Sequence, residues 1–524
     1  MKRLFPLLLP LLPLATTAQT SPDARVDRWW RDVTTLSADD MEGRGAGTPG
    51  HERAAAYVEA RLREIGLSPA GEKGSFRQAV AIEEQKVDPA RSSATLEAGG
   101  RTTPLVVGTD LIVAGGGAPR AGRVAAPLVF IGYGLHLPAL GHDDLAGLDL
   151  KGKIAVAMAG GPTGLPGAAK AASRAERVRY LGERGAIGLI LVTPPKQVEI
   201  PWERQKAIAG SPGRYLADRK LRSMPDNFLS ANLDPTRSEL LFEGSGHSFA
   251  ELAALSDAGR PVPRFALSAR VSAEIATTRR LLASPNIVAK LAGSDPKLAR
   301  EHVVLTAHLD HLGLASTGTD RVYNGTLDNA AGVATLLDIA ERLKAGPRLK
   351  RSVLVVLVTG EEGGLLGSTR FAQGPTVPKD SVVADLNFDM PLPLYPLRSI
   401  IALGGEESTL GAAAQAVGRT MALPVIPDPL PDRNSFIRSD QYSFVRAGVP
   451  ALAFKFGFAK GSPEAKIEAD WRANRYHSVR DDIDQPGIEK ADSIKLDDYV
   501  AALTRSIADA PDRPRWLATS IFGR

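Results

Sequence analysis

The chain has 524 residues, with 64 Lys and Arg against 59 Asp and Glu, no cysteine, 44% hydrophobic and 6% aromatic residues. At about 150 residues per domain it is long enough for several domains with sizeable cores, and its composition excludes a disordered or fibrous chain. The lack of cysteine excludes disulfide frameworks, thiolate nucleophiles and Cys-ligated metals, and a net charge of +5, part of it from Lys2 and Arg3, is too small a basic excess for nucleic-acid binding.

Residues 1–3 are a short positive start, 4–14 an apolar run, and Ala15-Thr16-Thr17-Ala18 a small-residue site. That is the layout of a secretory signal peptide cut after Ala18. The run is too short and too rich in proline for a span of roughly 20 residues, and no later stretch reaches that length. The mature chain is therefore expected outside the cytoplasm, periplasmic or secreted, without a membrane span.

Thr48-Pro49 then opens an amphipathic helix with Ala54, Val58, Leu62 and Ile65 on one face, and Gly66 stops it. Residues 78–110 are polar and weakly strand-like. Between 111 and 278, short apolar runs at 127–133, 153–159 and 187–193 enclose a helical pattern at 168–184. Alternation from Phe265 to Ile275 reads as a half-exposed strand. Beyond Pro285 the pattern is α/β: unbroken apolar strands at 303–307 and 353–358 flank a helical stripe of Val333, Leu336, Leu337, Ala340 and Leu343, ended by Gly346-Pro347. Further strands are predicted at 382–389, 399–403 and 450–455. The fold class is α/β: a doubly wound, mixed and mainly parallel sheet flanked by helices, with a β-rich insertion. The expected divisions are 1–18 for the signal peptide, 19–110 and 279–524 for the main domain, and 111–278 for the insertion.

Ligands of open α/β sheets lie outside the carboxyl ends of the strands. There the strand at 303–307 delivers His308-Leu309-Asp310-His311, the strand at 353–358 delivers Glu361-Glu362, and the strand from 382 delivers Asp389, while Asp328 stands where the stripe helix begins. Singly, Asp328 reads as a helix cap and Glu361-Glu362 as a solvated turn. Together on one edge, unpaired carboxylates repel and raise one another's pKa values, a conflict that bound cations remove. Imidazole and carboxylate without thiolate suit zinc, with cobalt or manganese as possible substitutes.

Five motifs carry a resemblance: His308-Leu-Asp310-His-Leu-Gly, Leu327-Asp328-Asn329-Ala-Ala-Gly, Gly360-Glu361-Glu362-Gly-Gly-Leu-Leu-Gly-Ser, Asn387-Phe-Asp389-Met and Tyr476-His477. In order and spacing the chain resembles the zinc-dependent di-metal aminopeptidases, whose relatives include glutaminyl cyclases, glutamate carboxypeptidase and the transferrin receptor. The stretch Met41-Glu42-Gly43-Arg44 resembles that family's N-terminal region. The insertion, with Phe130-Ile-Gly-Tyr-Gly134, resembles a protease-associated domain. The resemblance implies that His308, Asp328 and Asp389 hold one zinc and that Asp328, Glu362 and His477 hold the other, Asp328 being the bridge. It further implies Glu361 as general base, Asp310 as the partner that fixes the His308 tautomer, Tyr476 as hydrogen-bond donor to the oxyanion, and Arg438 near the substrate.

The implied activity is removal of N-terminal residues from peptides with a free N-terminus. A carboxypeptidase, dipeptidase or glutaminyl cyclase using the same site, and a binding protein without catalysis, are the alternatives. Three departures from the family pattern, Ala331, Pro391 and Gln441, fall on no ligand and bear on pocket shape. His51, His136, His142, His247 and His302 are expected at the surface, and His311 as a neighbour of the site. Asp482 is a candidate to orient His477. Asn324-Gly325-Thr326 fits a glycosylation acceptor but reads better as a turn.

Overall fold

The computed structural model describes residues 22–113, 118–198, 201–210, 212–315 and 317–523; the expected signal peptide lies outside them. A ten-stranded mixed sheet runs in the order Gly213–Leu216, Arg77–Val87, Thr277–Leu291, Ser352–Val358, His302–His308, Val382–Asn387, Ala451–Phe456, Ile400–Leu403, Val425–Ile426, with Ser68–Pro69 beside Thr277–Leu291. Its four central strands, Ser352–Val358 through Ala451–Phe456, are mutually parallel, and antiparallel pairs flank them.

Alternate residues of the central strands enter different cores, which is why these strands are apolar without interruption. Val303, Leu305, Val353 and Val355 join the core beneath the helices Pro22–Leu36, Pro49–Ile65, Ala331–Ala345 and Lys490–Asp509. Val304, Leu354 and Val356 pack with Phe371 and Phe444 of Leu366–Gln373 and Gln441–Arg446 on the opposite face. The helix Pro49–Ile65 starts and stops as its sequence dictates: the Thr48 side chain accepts a hydrogen bond from the His51 amide, and Gly66 closes it at φ 83°.

An eight-stranded sheet forms the inserted body, in the order Arg101–Leu105, Ser93–Ala98, Phe265–Glu274, Arg123–Phe130, Ile154–Met158, Gly188–Val192, Leu229–Leu233, Leu111–Val113. It begins earlier than residue 111. Arg77–Val87 and Thr277–Leu291 pair along eleven residues of the main sheet, and the Asp88 amide donates to the Ala276 carbonyl at 2.9 Å, closing a neck beyond which both strands pass into the second sheet. The strands at 93–98 and 101–105 therefore belong to the insertion, because their apolar residues Ala94, Leu96 and Leu105 pack into its core. One segment returns: Gly213–Leu216 adds an edge strand to the main sheet beside Arg77–Val87. Among the described residues no helix is long and apolar enough to cross a membrane.

Candidate metal centre

The strand His302–His308 is buried throughout and ends on His308, whose side chain is 1% exposed. His308 Nε2 lies 3.3 Å from Asp328 Oδ1 and 3.5 Å from Asp389 Oδ1. Across the bridge, His477 Nε2 lies 3.3 Å from Asp328 Oδ2 and 3.1 Å from Glu362 Oε2. Each oxygen of Asp328 thus faces a different imidazole. His308, Asp328 and Asp389 offer ligand atoms close enough to share one ion, as do His311, Asp328 and Glu362.

Several groups absent from the sequence-level set hold this geometry. Asp481 accepts hydrogen bonds from the Leu327 and Asp328 amides at 3.0 and 2.9 Å and from Gln485 Nε2 at 2.7 Å, fixing the turn that carries Asp328. Asp482 instead bonds the neighbouring Ile483 amide, and no contact joins it to His477 among the described residues. Gly325 begins the Asp328 turn at φ 59°, where a Cβ would strike the Asp328 carbonyl oxygen at 2.3 Å and the His311 ring at 2.5 Å. Asn329 donates to the Phe388 carbonyl at 2.7 Å and accepts from the Met390 amide at 3.1 Å, tying the turn to the segment bearing Asp389. Lys455 Nζ donates to the carbonyls of Asp389 and Met390. Arg44, 1% exposed, donates to the carbonyls of Leu36, Leu309, Asn324 and Gly325, so it anchors the N-terminal segment beneath both site loops.

Asp310 is placed beside the site but not in the expected contact. His308 Nδ1 bonds the main-chain carbonyl of Asp310 at 3.0 Å, while the Asp310 carboxylate accepts the Glu361 amide at 3.1 Å. The carboxylate fails to reach the ring because it turns toward the neighbouring strand end. His311 is buried, with Nδ1 2.7 Å from Glu362 Oε1. His51 and His302, expected at the surface, are 1% and 3% exposed, and Ser284 and Ser381 partner their Nδ1 atoms. His136 and His142 are half-buried against Asp143 and Asp144, and His247 is half-buried beside Glu251. Asn324 is 3% exposed and donates to the Ser37 carbonyl and to Asp39, which leaves the turn reading.

Burial would raise the Asp328 carboxyl, but hydrogen bonds from His308 and His477 outweigh it and hold the group well below the usual range. For Asp389 burial is likewise overcome, here by the Lys455 ammonium and His308, and the carboxyl falls to about 2. Glu361 goes the other way: burial pushes it well above the ordinary value, and the charges of Asp389, Asp440 and Glu362 add to that push. Burial also pushes Asp440 up to about 7.

The donors fit a cation. With its Nδ1 proton committed to the Asp310 carbonyl, His308 presents Nε2 to two carboxylates, and a cation bound there would take the lone pair that a proton otherwise occupies. Asp389 Oδ1 is buried without a hydrogen-bond partner. A cation between these atoms would offset the repulsion of the buried carboxylates.

Glu361, Asp389, Tyr476, His477 and Arg438 line one cavity of about 80 Å³. The Tyr476 ring stacks on His477 at 3.8 Å between centroids. Arg438 makes no ion pair among the described residues, whereas its neighbours Arg433 and Arg472 both pair with Glu468. On the far side of Glu362 and His311 a larger cleft of about 970 Å³ opens between the inserted body and the main sheet.

The mixed sheet thus carries a paired imidazole–carboxylate centre at its carboxyl edge, a donor set suited to metal ions. Residues 286–504 match the model of peptidase family M28. A curated relative from Pyrenophora teres f. teres, named "Probable zinc metalloprotease", is 26% identical over 281 residues, half of this chain, and the chain spans half of that protein's length. The solved aminopeptidase from Aneurinibacillus sp. strain AM-1 has the same fold over 93% of this chain and 95% of its own, with a TM-score of 0.50 and 20% identity.

Proposed function

We propose that the chain is an exported two-zinc aminopeptidase that removes N-terminal residues from peptides, its insertion being a protease-associated domain. The observation that carries the reading is Asp328, whose two oxygens face His308 and His477, one with Asp389 and the other with Glu362 at its side. His308, Asp328 and Asp389 would hold one zinc, and Asp328, Glu362 and His477 the other. When bound, such a pair polarises the scissile carbonyl and lowers the pKa of water.

The remaining chemistry belongs to side chains. Glu361 leaves both ligand sets and lines the cavity, and its raised pKa suits a base that takes the proton of the attacking water and returns it to the leaving amine. Its main-chain amide is fixed by Asp310, which limits where the carboxylate can swing. Tyr476, ordered by its stack on His477, donates its O–H to the developing oxyanion. Arg438 favours a second reading, since a cation without an ion pair in the cavity suits a substrate carboxylate, as a carboxypeptidase or dipeptidase would need. Export is supported by the positive, apolar and small-residue pattern of residues 1–18.

The test is a panel of aminoacyl amides, N-acylated peptides and C-amidated peptides, assayed before chelation, after it and after zinc is returned. Turnover of free-amine substrates, lost with metal and restored by zinc, is expected. Cleavage confined to free carboxyl ends would overturn the aminopeptidase reading, and full activity in protein without stoichiometric metal would overturn the metal.

A further inference from the structure

We propose that the cleft between the inserted body and the main sheet is the subsite for the leaving part of the peptide, and that it selects apolar residues just beyond the scissile bond. The inference rests on the aminopeptidase reading. An exopeptidase must hold a single residue on one side of the scissile bond and the rest of the chain on the other. The two spaces about the centre differ in that way: about 80 Å³ beside Glu361 and Tyr476, against about 970 Å³ beyond Glu362 and His311.

The lining sets the chemistry. Leu312 and Leu314, directly after His311, are 37% and 50% exposed, two of the eight large hydrophobic side chains left exposed among the described residues. They share the cleft with Tyr323, with Tyr215 on the returned edge strand, and with Leu221 and Met224 of the segment that follows it. Exposed leucines gathered beside a catalytic centre point to an apolar occupant. The arginines of the cleft do not compete: Arg214 pairs with Glu84, Arg222 with Glu83 and Arg446 with Glu176.

Both walls are preformed, which lowers the ordering cost of binding. The Gly313 amide donates to the Gly43 carbonyl at 3.0 Å and the Tyr323 amide to the Gly313 carbonyl at 3.1 Å, tying the leucine hairpin to the segment anchored by Arg44. Opposite, Tyr215 sits on the edge strand in register with Glu83. The returned segment thus supplies one face of the subsite, and the loop that begins at the ligand His308 supplies the other.

The experiment compares leucinamide, whose leaving group is ammonia and reaches no subsite, with Leu-Phe-Leu and Leu-Gly-Gly. Wild-type protein is expected to prefer Leu-Phe-Leu to Leu-Gly-Gly. In the double variant Leu312→Ser/Leu314→Ser, kcat/KM for Leu-Phe-Leu should fall about tenfold, mainly through KM, with leucinamide unchanged within about twofold. Met224→Ser on the facing wall should shift the same ratio and serves if the double variant does not fold. Equal losses on both substrates, no loss on either, or a change in sedimentation coefficient that marks the leucines as a contact between copies would overturn the subsite. If wild-type protein leaves leucinamide and both tripeptides intact, the aminopeptidase reading has failed. The cleft is then judged by calorimetric binding of Leu-Phe-Leu to the Glu361→Gln protein, where unchanged affinity in the leucine variant refutes it.

Discussion

At His308 a hydrogen bond selects the tautomer. Because Nδ1 is committed to the Asp310 carbonyl, Nε2 is available as a ligand, and replacing the Asp310 side chain should act on Glu361 more than on His308. Glu361→Gln is expected to keep stoichiometric zinc by elemental analysis while kcat falls by about 10² to 10⁴; wild-type turnover would remove it as base. Asp481→Ala tests the turn that presents Asp328. It leaves the Leu327 and Asp328 amides buried without their acceptor, so zinc affinity measured against a competing chelator should weaken about 10- to 100-fold. His308, Asp328, Glu362 and Asp389 were legible in the sequence because each follows an apolar strand or precedes an apolar helix, whereas His477, just past the polar helix Pro463–Asn474, came only from the resemblance. Asp481 was not: it stands beside Asp482 in a polar run, and only the folded path shows which of the two turns inward. Arg44 and Lys455 escaped for a related reason, since their work is done on main-chain carbonyls that leave no trace in residue type.

Elements of single character were read within a few residues, as with His302–His308, Ser352–Val358 and the helix Ala331–Ala345. Thr277–Leu291 was not, because it serves two environments: its first half is largely exposed beside Arg77–Val87, its second half is core, and Pro285 interrupts its pattern. Missing that strand moved the expected start of the insertion from Asp88 to residue 111. The first residue of His302–His308 yields a prediction on pH. Burial, helped by Lys290, pulls His302 down to about 4 from the ordinary 6.5, so the folded protein keeps it neutral while the unfolded chain takes up a proton below pH 6.5. Its contribution to stability is complete above pH 6.5 and is lost as pH falls through 6.5 toward 4, by no more than about 3 kcal/mol. His302→Gln should flatten this part of the profile in denaturant titrations at pH 7 and pH 4.5; an unchanged slope would show that the ring is charged in the fold.

Over the whole molecule, the hydrophobic residues fall into separate cores, one built on the main sheet and another within the insertion, to which Val87 at the neck adds. The neck at Asp88 and Ala276, the edge strand Gly213–Leu216 and the contacts of Glu176 with Tyr442 and Arg446 join the two bodies. Among the described residues the proposed metal ligands all lie in the main body, so ion binding there would stabilise that body alone. Ligands that bind the folded state about 1,000-fold above their Kd contribute about 4 kcal/mol each, and for a body of this size 1 kcal/mol is about 2 °C in Tm. Calorimetry should therefore show two transitions, of which chelation of both ions lowers one by roughly 15 °C and leaves the other in place. Returning zinc should restore the first without moving the second. A single transition that shifts as a whole would mean that the neck and the returned strand couple the cores into one cooperative unit, and the insertion would then report the metal state of a centre it does not touch.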